Sequence, residues 1–207
     1  MKHTTRMLAA LTAASLGAAL AGCAGIAADV RTAPPDAQLR GAHTYAFADA
    51  PLPALKNDTM QSERWIEAEL ARHGFVAADD ARAAYRVSIA FDTRPASVGV
   101  SEQDCVGSAC AGTGAGGLSG GFGTLFGGPR YRHSLTLRFF SNATGAERYT
   151  VSAASEDRDP RIVPALPYLV KSALARLPYG GEAGWRVKLR TAADGAPEVV
   201  SVKPRQP

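Results

Sequence analysis

Apolar and polar residues alternate with a period of two in three stretches of the chain, and this pattern predicts half-buried β-strands. The residues between the apolar positions are mostly charged, hydroxylated or small, as expected for a sheet with one face in solvent. Between the second and third stretches, Asn142-Ala143-Thr144-Gly145 predicts a turn, so these two strands should form a hairpin. The apolar positions are Tyr85, Val87, Ile89 and Phe91 in the first stretch, Leu135, Leu137 and Phe139 in the second, and Tyr149, Val151 and Ala153 in the third.

Two other stretches repeat their apolar residues every three to four positions, which is typical of helices with one buried face. The first begins near Asn57 or Asp58, either of which can cap a helix, and ends before Gly74, which favours a left-handed terminator. The second follows Asp159-Pro160, a cap with proline at the first helical position, and is stopped by Pro178. The apolar positions are Met60, Ile66, Leu70 and Ala71 in the first helix, and Leu166, Leu169, Val170, Ala173, Leu174 and Leu177 in the second.

Shorter alternating stretches at 43–48, 185–189 and 199–202 predict further strands. We therefore predict one α+β domain, a mostly antiparallel sheet with two helices packed on one face. The main part of this domain is 42–178, and residues 179–207 form a C-terminal strand extension. A chain of this size is long enough to bury a substantial core.

The first 22 residues have the layout of an export signal. Lys2 and Arg6 begin it, and residues 7–20 form an apolar segment that is too short to span a bilayer. The segment ends in Leu20-Ala21-Gly22-Cys23, which resembles the lipobox of bacterial lipoproteins. This resemblance implies diacylglycerol on the thiol of Cys23, cleavage before that residue and acylation of the new amine. The alternatives are an ordinary secretory signal with an incidental cysteine, or a retained transmembrane anchor.

The residue after the lipidated cysteine indicates a particular membrane. An aspartate there would resemble the inner-membrane retention signal, so Ala24 points, by resemblance, to the periplasmic face of the outer membrane. Residues 23–41 are interpreted as a lipidated tether, stiffened by Pro34-Pro35 and with room for a short strand at 29–32. Several acyl chains would hold such a tether durably, because each buried methylene contributes about 0.8 kcal/mol.

Charge excludes one large class of partners. The formal net charge of the 207-residue chain is +4, and two of those charges leave with the signal, so the mature chain is close to +2. The basic residues are also interspersed with acidic ones. This is too weak an electrostatic footprint for nucleic-acid binding.

The three cysteines fit an exported lipoprotein. Once Cys23 is acylated, Cys105 and Cys110 remain, and a pair of thiols in an oxidising compartment normally forms a disulfide. Zinc binding by this pair with the distant His133 is the alternative, but the spacing is at the limit of the usual zinc hairpin. We predict a Cys105–Cys110 bridge.

A glycine-rich insert separates the first two of the alternating strands, at 95–129. Gly112-Thr113-Gly114-Ala115-Gly116-Gly117 formally matches the dinucleotide pattern, yet the strand, helix and acidic residue that this mechanism needs do not accompany it. The insert is therefore interpreted as a surface loop. Its larger apolar residues, which either contact a partner or a membrane or pack over the sheet, are Leu118, Phe122, Leu125 and Phe126.

No combination of residues in the sequence predicts catalysis. The histidines lack metal-ligand spacing, the Gly-x-Ser-x-Gly elbow is missing, and Asp157 and Asp159 are explained by their place before a helix. We therefore predict a non-enzymatic protein without cofactor or metal. It would bind an envelope protein partner or stabilise the cell envelope, and a periplasmic carrier of a small ligand or lipid is the alternative.

Two groups of motifs resemble the bacterial lipoproteins grouped as domain of unknown function 4136. The first is Thr44-Tyr45-Ala46-Phe47 followed by Ile66-x-x-Glu69-Leu70-x-x-x-Gly74-Phe75. The second is Leu135-x-Leu137-x-Phe139-Phe140-x-Asn142-Ala143-Thr144-Gly145-x-Glu147-x-Tyr149. The similarity spans about residues 28–178.

This resemblance implies an α+β envelope domain without an assigned activity, and it carries over no functional residues. The chain departs from the family at two positions. The family usually has an aspartate at the start of its second strand and a tryptophan on the return strand, where this chain has Ala84-Tyr85 and Tyr149. The glycine-rich insert and the tail after Pro178 look like additions to the family's domain.

Overall fold

The computed structural model describes residues 25–34, 39, 43–48, 56–96, 129–182 and 184–205. In these residues the chain forms eight strands and two helices. The strands are β1 (Ile26–Ala33), β2 (Thr44–Phe47), β3 (Val76–Ala77), β4 (Tyr85–Pro95), β5 (Tyr131–Ser141), β6 (Glu147–Asp157), β7 (Gly184–Thr191) and β8 (Pro197–Pro204), and the helices are α1 (Lys56–Arg72) and α2 (Leu166–Ala173).

All eight strands belong to one sheet, in the order β3-β2-β4-β5-β6-β1-β7-β8. The β5–β6 hairpin pairs Phe139 with Tyr149 and turns through Gly145, whose φ is +68°, as the alternating pattern predicted. Strand β2 runs parallel to both β3 and β4, because α1 carries the chain back across the sheet between them, whereas the other neighbours are antiparallel. The α+β prediction is confirmed at this level, with a sheet that is mixed rather than purely antiparallel.

The N-terminal segment differs from the expectation. Residues 26–33 were assigned to a tether that had room for a short strand, but they form the eight-residue strand β1. It lies between β6 and β7, with Val30 opposite both Ala153 and Trp185. The assignment of 26–33 to a tether is therefore corrected: this segment lies inside the sheet, and it joins the predicted C-terminal extension to the rest of the domain.

Strand residues of one face and residues of both helices form one hydrophobic core. Leu137, Val151 and Leu169 are completely buried within it, so side chains fill the space between the sheet and α2. The two helices also contact each other through polar groups: Nζ of Lys171 on α2 lies 2.9 Å from each carboxylate oxygen of Glu69 on α1. The helical layer is thus held by both apolar packing and an ion pair.

The boundaries of the helices agree with the pattern at α1 and less well at α2. Helix α1 ends before Gly74, with a φ of +79°, and the N–H of Phe75 donates to the carbonyl of Leu70, so the predicted terminator is confirmed. Helix α2 ends at Ala173, earlier than the apolar repeat. It also begins after Ala165 rather than at Asp159, since three prolines disfavour a regular helix from 160 onward.

Tyrosines in the core carry raised pKa values. Burial raises the pKa of Tyr149 to about 12, although its hydroxyl accepts a hydrogen bond from the N–H of Tyr179 at 3.1 Å. Burial, followed by the charge of Glu67, raises the pKa of Tyr45 to about 12. The hydroxyl of Tyr45 has no hydrogen-bond partner in the part of the chain that the structure describes.

Candidate functional site: the outward face of the sheet

The face of the sheet opposite the helices is polar and rich in arginine and lysine. Because side chains alternate along each strand, the residues between the core positions all point to this face. The strand register places Asp29, Arg186 and Lys203 side by side across β1, β7 and β8. The basic residues of this outward face are Arg31, Arg86, Arg94, Arg132, Arg138, Arg186, Lys188, Arg190 and Lys203, with Arg205 directly after β8.

Asp29 is the anionic centre of the β7–β8 end of this face. Its Oδ1 accepts a hydrogen bond from Nε of Arg186 at 3.0 Å, and its Oδ2 accepts one from Nη1 of Arg205 at 3.3 Å. The carboxylate is mostly covered by these two guanidinium groups, and this interaction raises the pKa of Arg186. One carboxylate thus neutralises only one of two positive charges.

Two lysines add to this excess of positive charge. Lys188 faces outward beside Ser201, and Lys203 lies beside Arg186. Among the described residues, neither lysine forms an ion pair. A shallow groove of about 710 Å³ runs over this surface, and we call it the β7–β8 groove; its lining is Arg186, Lys188, Ser201, Lys203, Pro204 and Arg205. Four cationic side chains around one covered carboxylate can bind anionic groups such as phosphates or carboxylates.

A second hollow, of about 680 Å³, lies at the ends of β1, β5 and β6, and we call it the strand-end hollow. Its charges are largely balanced, because Arg132 donates to Glu156 at 3.1 Å and Arg130 donates to the carbonyl of the same residue at 3.3 Å. The first residues of the described chain, Gly25 and Ile26, form part of its wall. Apolar and polar groups therefore meet in this hollow within three residues of Cys23.

A buried hydrogen-bonded chain links the sheet to the segment before α2. The ring of His133 is completely buried, and its Nε2 lies 2.9 Å from the carbonyl oxygen of Asp159 and 3.2 Å from Oδ1 of Asp157. Since a carbonyl oxygen only accepts, Nε2 carries the proton, and Nδ1 of the neutral ring accepts from the hydroxyl of Thr93 at 2.9 Å. The order of hydroxyl, imidazole and carboxylate is also that of a nucleophile relay. In this protein it connects β4, β5 and the chain after β6.

The aspartates near this chain have roles that the sequence did not predict. Asp157 receives His133 and the backbone N–H of Asp159, at 2.8 Å. Asp159 receives the backbone N–H and the guanidinium of Arg161, and these hydrogen bonds lower the pKa of Asp159 to about 2. Neither residue caps α2, so the capping explanation is corrected.

Several predicted site residues lie outside the described residues. They are Cys23, the lipidation site, Cys105 and Cys110 of the predicted disulfide, and the four apolar residues of the glycine-rich insert, Leu118, Phe122, Leu125 and Phe126. These assignments stay predictions. Within the described ranges, no three histidine, cysteine or acidic side chains are grouped as they would be to hold a metal ion, and no helix is long and apolar enough to cross a membrane.

No protein-family model and no curated protein sequence matches the chain. Among solved structures, it is similar to a PDZ domain protein from Parabacteroides distasonis, with a TM-score of 0.47 and 10% identity over 80% of this chain. The match spans 40% of that protein's chain. Two crystal forms of the PelC dodecamer from Paraburkholderia phytofirmans give TM-scores of 0.41 and 0.40, at 14% and 15% identity. Each covers 72% of this chain and at least 95% of PelC. At such scores these likenesses carry no functional argument.

Proposed function

We propose that this chain is a lipoprotein, anchored through acylated Cys23 at the periplasmic face of the outer membrane. The observation that carries this proposal is the sequence Leu20-Ala21-Gly22-Cys23 at the end of an apolar export segment. Ala24 favours the outer over the inner membrane. The similarity to the domain of unknown function 4136 lipoproteins points to the same compartment, and we propose membership of that family.

The position of the first strand is compatible with such an anchor. Gly25 is two residues from Cys23, and two residues span at most about 7 Å. A domain whose sheet begins at Ile26 would therefore be held close to the bilayer instead of at the end of a long flexible tether. In this arrangement the acyl chains and the sheet act as one unit.

The role that we propose for the anchored domain is non-enzymatic: it binds an envelope partner or stabilises the envelope. The outward face of the sheet supports this, because it presents unpaired cationic groups in a shallow groove instead of a deep cleft. A partner with exposed acidic groups would fit this surface by charge.

A carrier of a small ligand or lipid is the second candidate. Between the sheet and α2, where a ligand was first expected, buried side chains fill the space. The strand-end hollow favours a carrier more, because its volume of about 680 Å³ is in the range of small-molecule sites. Native mass spectrometry of the purified protein tests this: a bound lipid supports the carrier, and a ligand-free protein whose melting temperature is unchanged by added lipid contradicts it.

Metabolic labelling tests the anchor directly. Cells expressing the chain are grown with radiolabelled palmitate, and we expect label in the wild type and in a Cys105→Ser variant, but none in Cys23→Ser. Cys105→Ser is the matched control because it removes a thiol without touching the lipobox. An unlabelled, freely soluble wild-type protein would overturn the proposal. Crosslinking in intact cells, followed by affinity purification, then identifies the partner.

A further inference from the structure

The strand register brings the basic end of the sheet next to the start of β1. Ala27 is the pairing partner of Lys188 in the neighbouring strand. Ala27 follows Cys23 by four residues, which span at most about 14 Å, and paired strands lie about 5 Å apart. The backbone of Lys188 thus lies within about 20 Å of the acylated position.

The cationic groups nearest to this anchor are the ones without partners. Lys188 and Lys203 form no ion pair within the described part of the chain, and Arg186 and Arg205 share the single carboxylate of Asp29. Farther across the face, by contrast, Arg86 is paired with Asp80, and Arg132 with Glu156. The excess positive charge is therefore concentrated on β7 and β8.

We propose that the β7–β8 groove lies on the headgroup surface of the bilayer that holds Cys23, where Lys188 and Lys203 bind the phosphates of anionic phospholipids. This inference rests on the proposed acylation of Cys23. The short covalent connection keeps the groove close to the membrane, and the charge of the groove selects its orientation. The domain then lies against the bilayer by the β7–β8 end of the sheet, with the helices on the opposite face.

The attraction expected from these groups is large enough to orient the domain. A basic side chain near an anionic bilayer shifts the binding equilibrium by roughly fivefold, so two unpaired lysines contribute roughly 25-fold in favour of the docked orientation. Screening limits this effect: at about 0.5 M salt the Debye length falls to a few ångström, and the orientation should be lost although the acyl chains stay inserted.

Lysine labelling of the acylated full chain tests the orientation. The protein is reconstituted in vesicles of phosphatidylcholine alone or of phosphatidylcholine with phosphatidylglycerol, treated with an amine-reactive reagent, and digested for mass spectrometry. We expect Lys188 and Lys203 to react at least about threefold more slowly on the anionic vesicles, and to recover in high salt. Lys171, paired with Glu69 between the helices, is the internal reference and should not change. Equal labelling of Lys188 and Lys203 on both vesicle types overturns the proposal.

Hydrogen exchange provides a second measurement, because β8 is the last strand of the sheet. We expect the amides of β8 to exchange more slowly on anionic than on neutral vesicles, and the double variant Lys188→Glu/Lys203→Glu to lose this difference. Arg138→Glu is the matched control, since Arg138 is an exposed basic residue of the same face on β5. If the double variant keeps the difference, the proposed contact is wrong.

The failure of the anchor and the failure of this inference can be told apart. The intact mass shows whether the chain carries acyl groups before any vesicle experiment is done. A chain without them contradicts the proposed function. An acylated chain whose lysines do not respond to anionic lipid contradicts only the docked orientation.

Discussion

Two buried tyrosines in the core make a matched pair for mutagenesis. The hydroxyl of Tyr149 accepts the backbone N–H of Tyr179, and both residues are completely buried. The hydroxyl of Tyr45 is buried without a partner among the described residues. Replacing either tyrosine by phenylalanine removes one oxygen and leaves the ring in place, so the two variants separate a satisfied hydroxyl from an unsatisfied one.

The expected changes in stability have different signs. Tyr149→Phe leaves the N–H of Tyr179 buried without an acceptor, which costs about 1–3 kcal/mol in the free energy of unfolding. For a chain of this size this lowers the melting temperature by roughly 2–12 °C. Tyr45→Phe removes a polar group that gained nothing on folding, so we expect no loss and a gain of up to about 1 kcal/mol. Urea unfolding of the mature chain, followed by far-ultraviolet circular dichroism, measures both.

The same pair predicts a dependence on alkaline pH. Burial raises the pKa of both tyrosines to about 12, whereas the tyrosines of the unfolded chain titrate near 10. The stability contributed by the protonated hydroxyls is therefore fully present below about pH 10 and is lost as the pH rises toward 12. Each phenylalanine variant should lose less stability over this interval than the wild type does.

Two results would refute this reasoning. A Tyr45→Phe variant that is destabilised by more than about 1 kcal/mol would mean that its hydroxyl is hydrogen-bonded in solution. A Tyr149→Phe variant as stable as the wild type would mean that the N–H of Tyr179 finds another acceptor.

The remaining predictions concern a buried histidine, an ion pair and the cysteines. His133→Leu should lower the free energy of unfolding by about 2 kcal/mol, measured by urea unfolding, because it removes the hydrogen bonds that join β4, β5 and the segment before α2. Lys171→Ala should cost about 1–3 kcal/mol because it leaves the largely covered carboxylate of Glu69 without its lysine, and adding Glu69→Ala should restore part of that loss in a double-mutant cycle. Thiol labelling of the denatured, unreduced mature protein should find no free thiol at Cys105 or Cys110.

Each of these predictions has a control. His43→Leu changes an exposed histidine and should have a smaller effect than His133→Leu; equal effects would show that the buried hydrogen bonds contribute little. Arg161→Ala breaks an exposed pair with Asp159 and should change stability by no more than about 0.5 kcal/mol, so a larger loss than that of Lys171→Ala would contradict the role given to burial. Two reactive thiols in the unreduced protein would exclude the disulfide.

The parts of the fold that the sequence predicted well are those held together by neighbours in the chain. The β5–β6 hairpin combines alternating apolar residues with a short turn, and Gly74 terminates α1 by a local preference for positive φ. Strand β1 was assigned to a tether with only a short strand because its partners, such as Ala153 and Trp185, are more than a hundred residues away. No local pattern could show that a segment so close to the signal belongs in the middle of the sheet.

The candidate site shows the same limit. The alternation of Arg186 and Lys188 with apolar residues indicated that these side chains face outward. It could not show that β7 pairs with β1, which brings Asp29 under Arg186 and places the basic groove next to the predicted anchor. The contacts of His133 were missed for the same reason, since Thr93 and Asp157 are 40 and 24 residues away in the chain.

The interior position of β1 has a mechanical consequence for a protein held by its N-terminus. Hydrogen bonds to β6 on one side and β7 on the other share any force that reaches β1, so pulling on the anchor loads two strand interfaces in shear at once. A protease that cut after Ala33 would leave a domain without its middle strand and with Ala153 and Trp185 unpaired. Shedding of an intact domain from the membrane would therefore require cleavage within the few residues between Cys23 and Ile26.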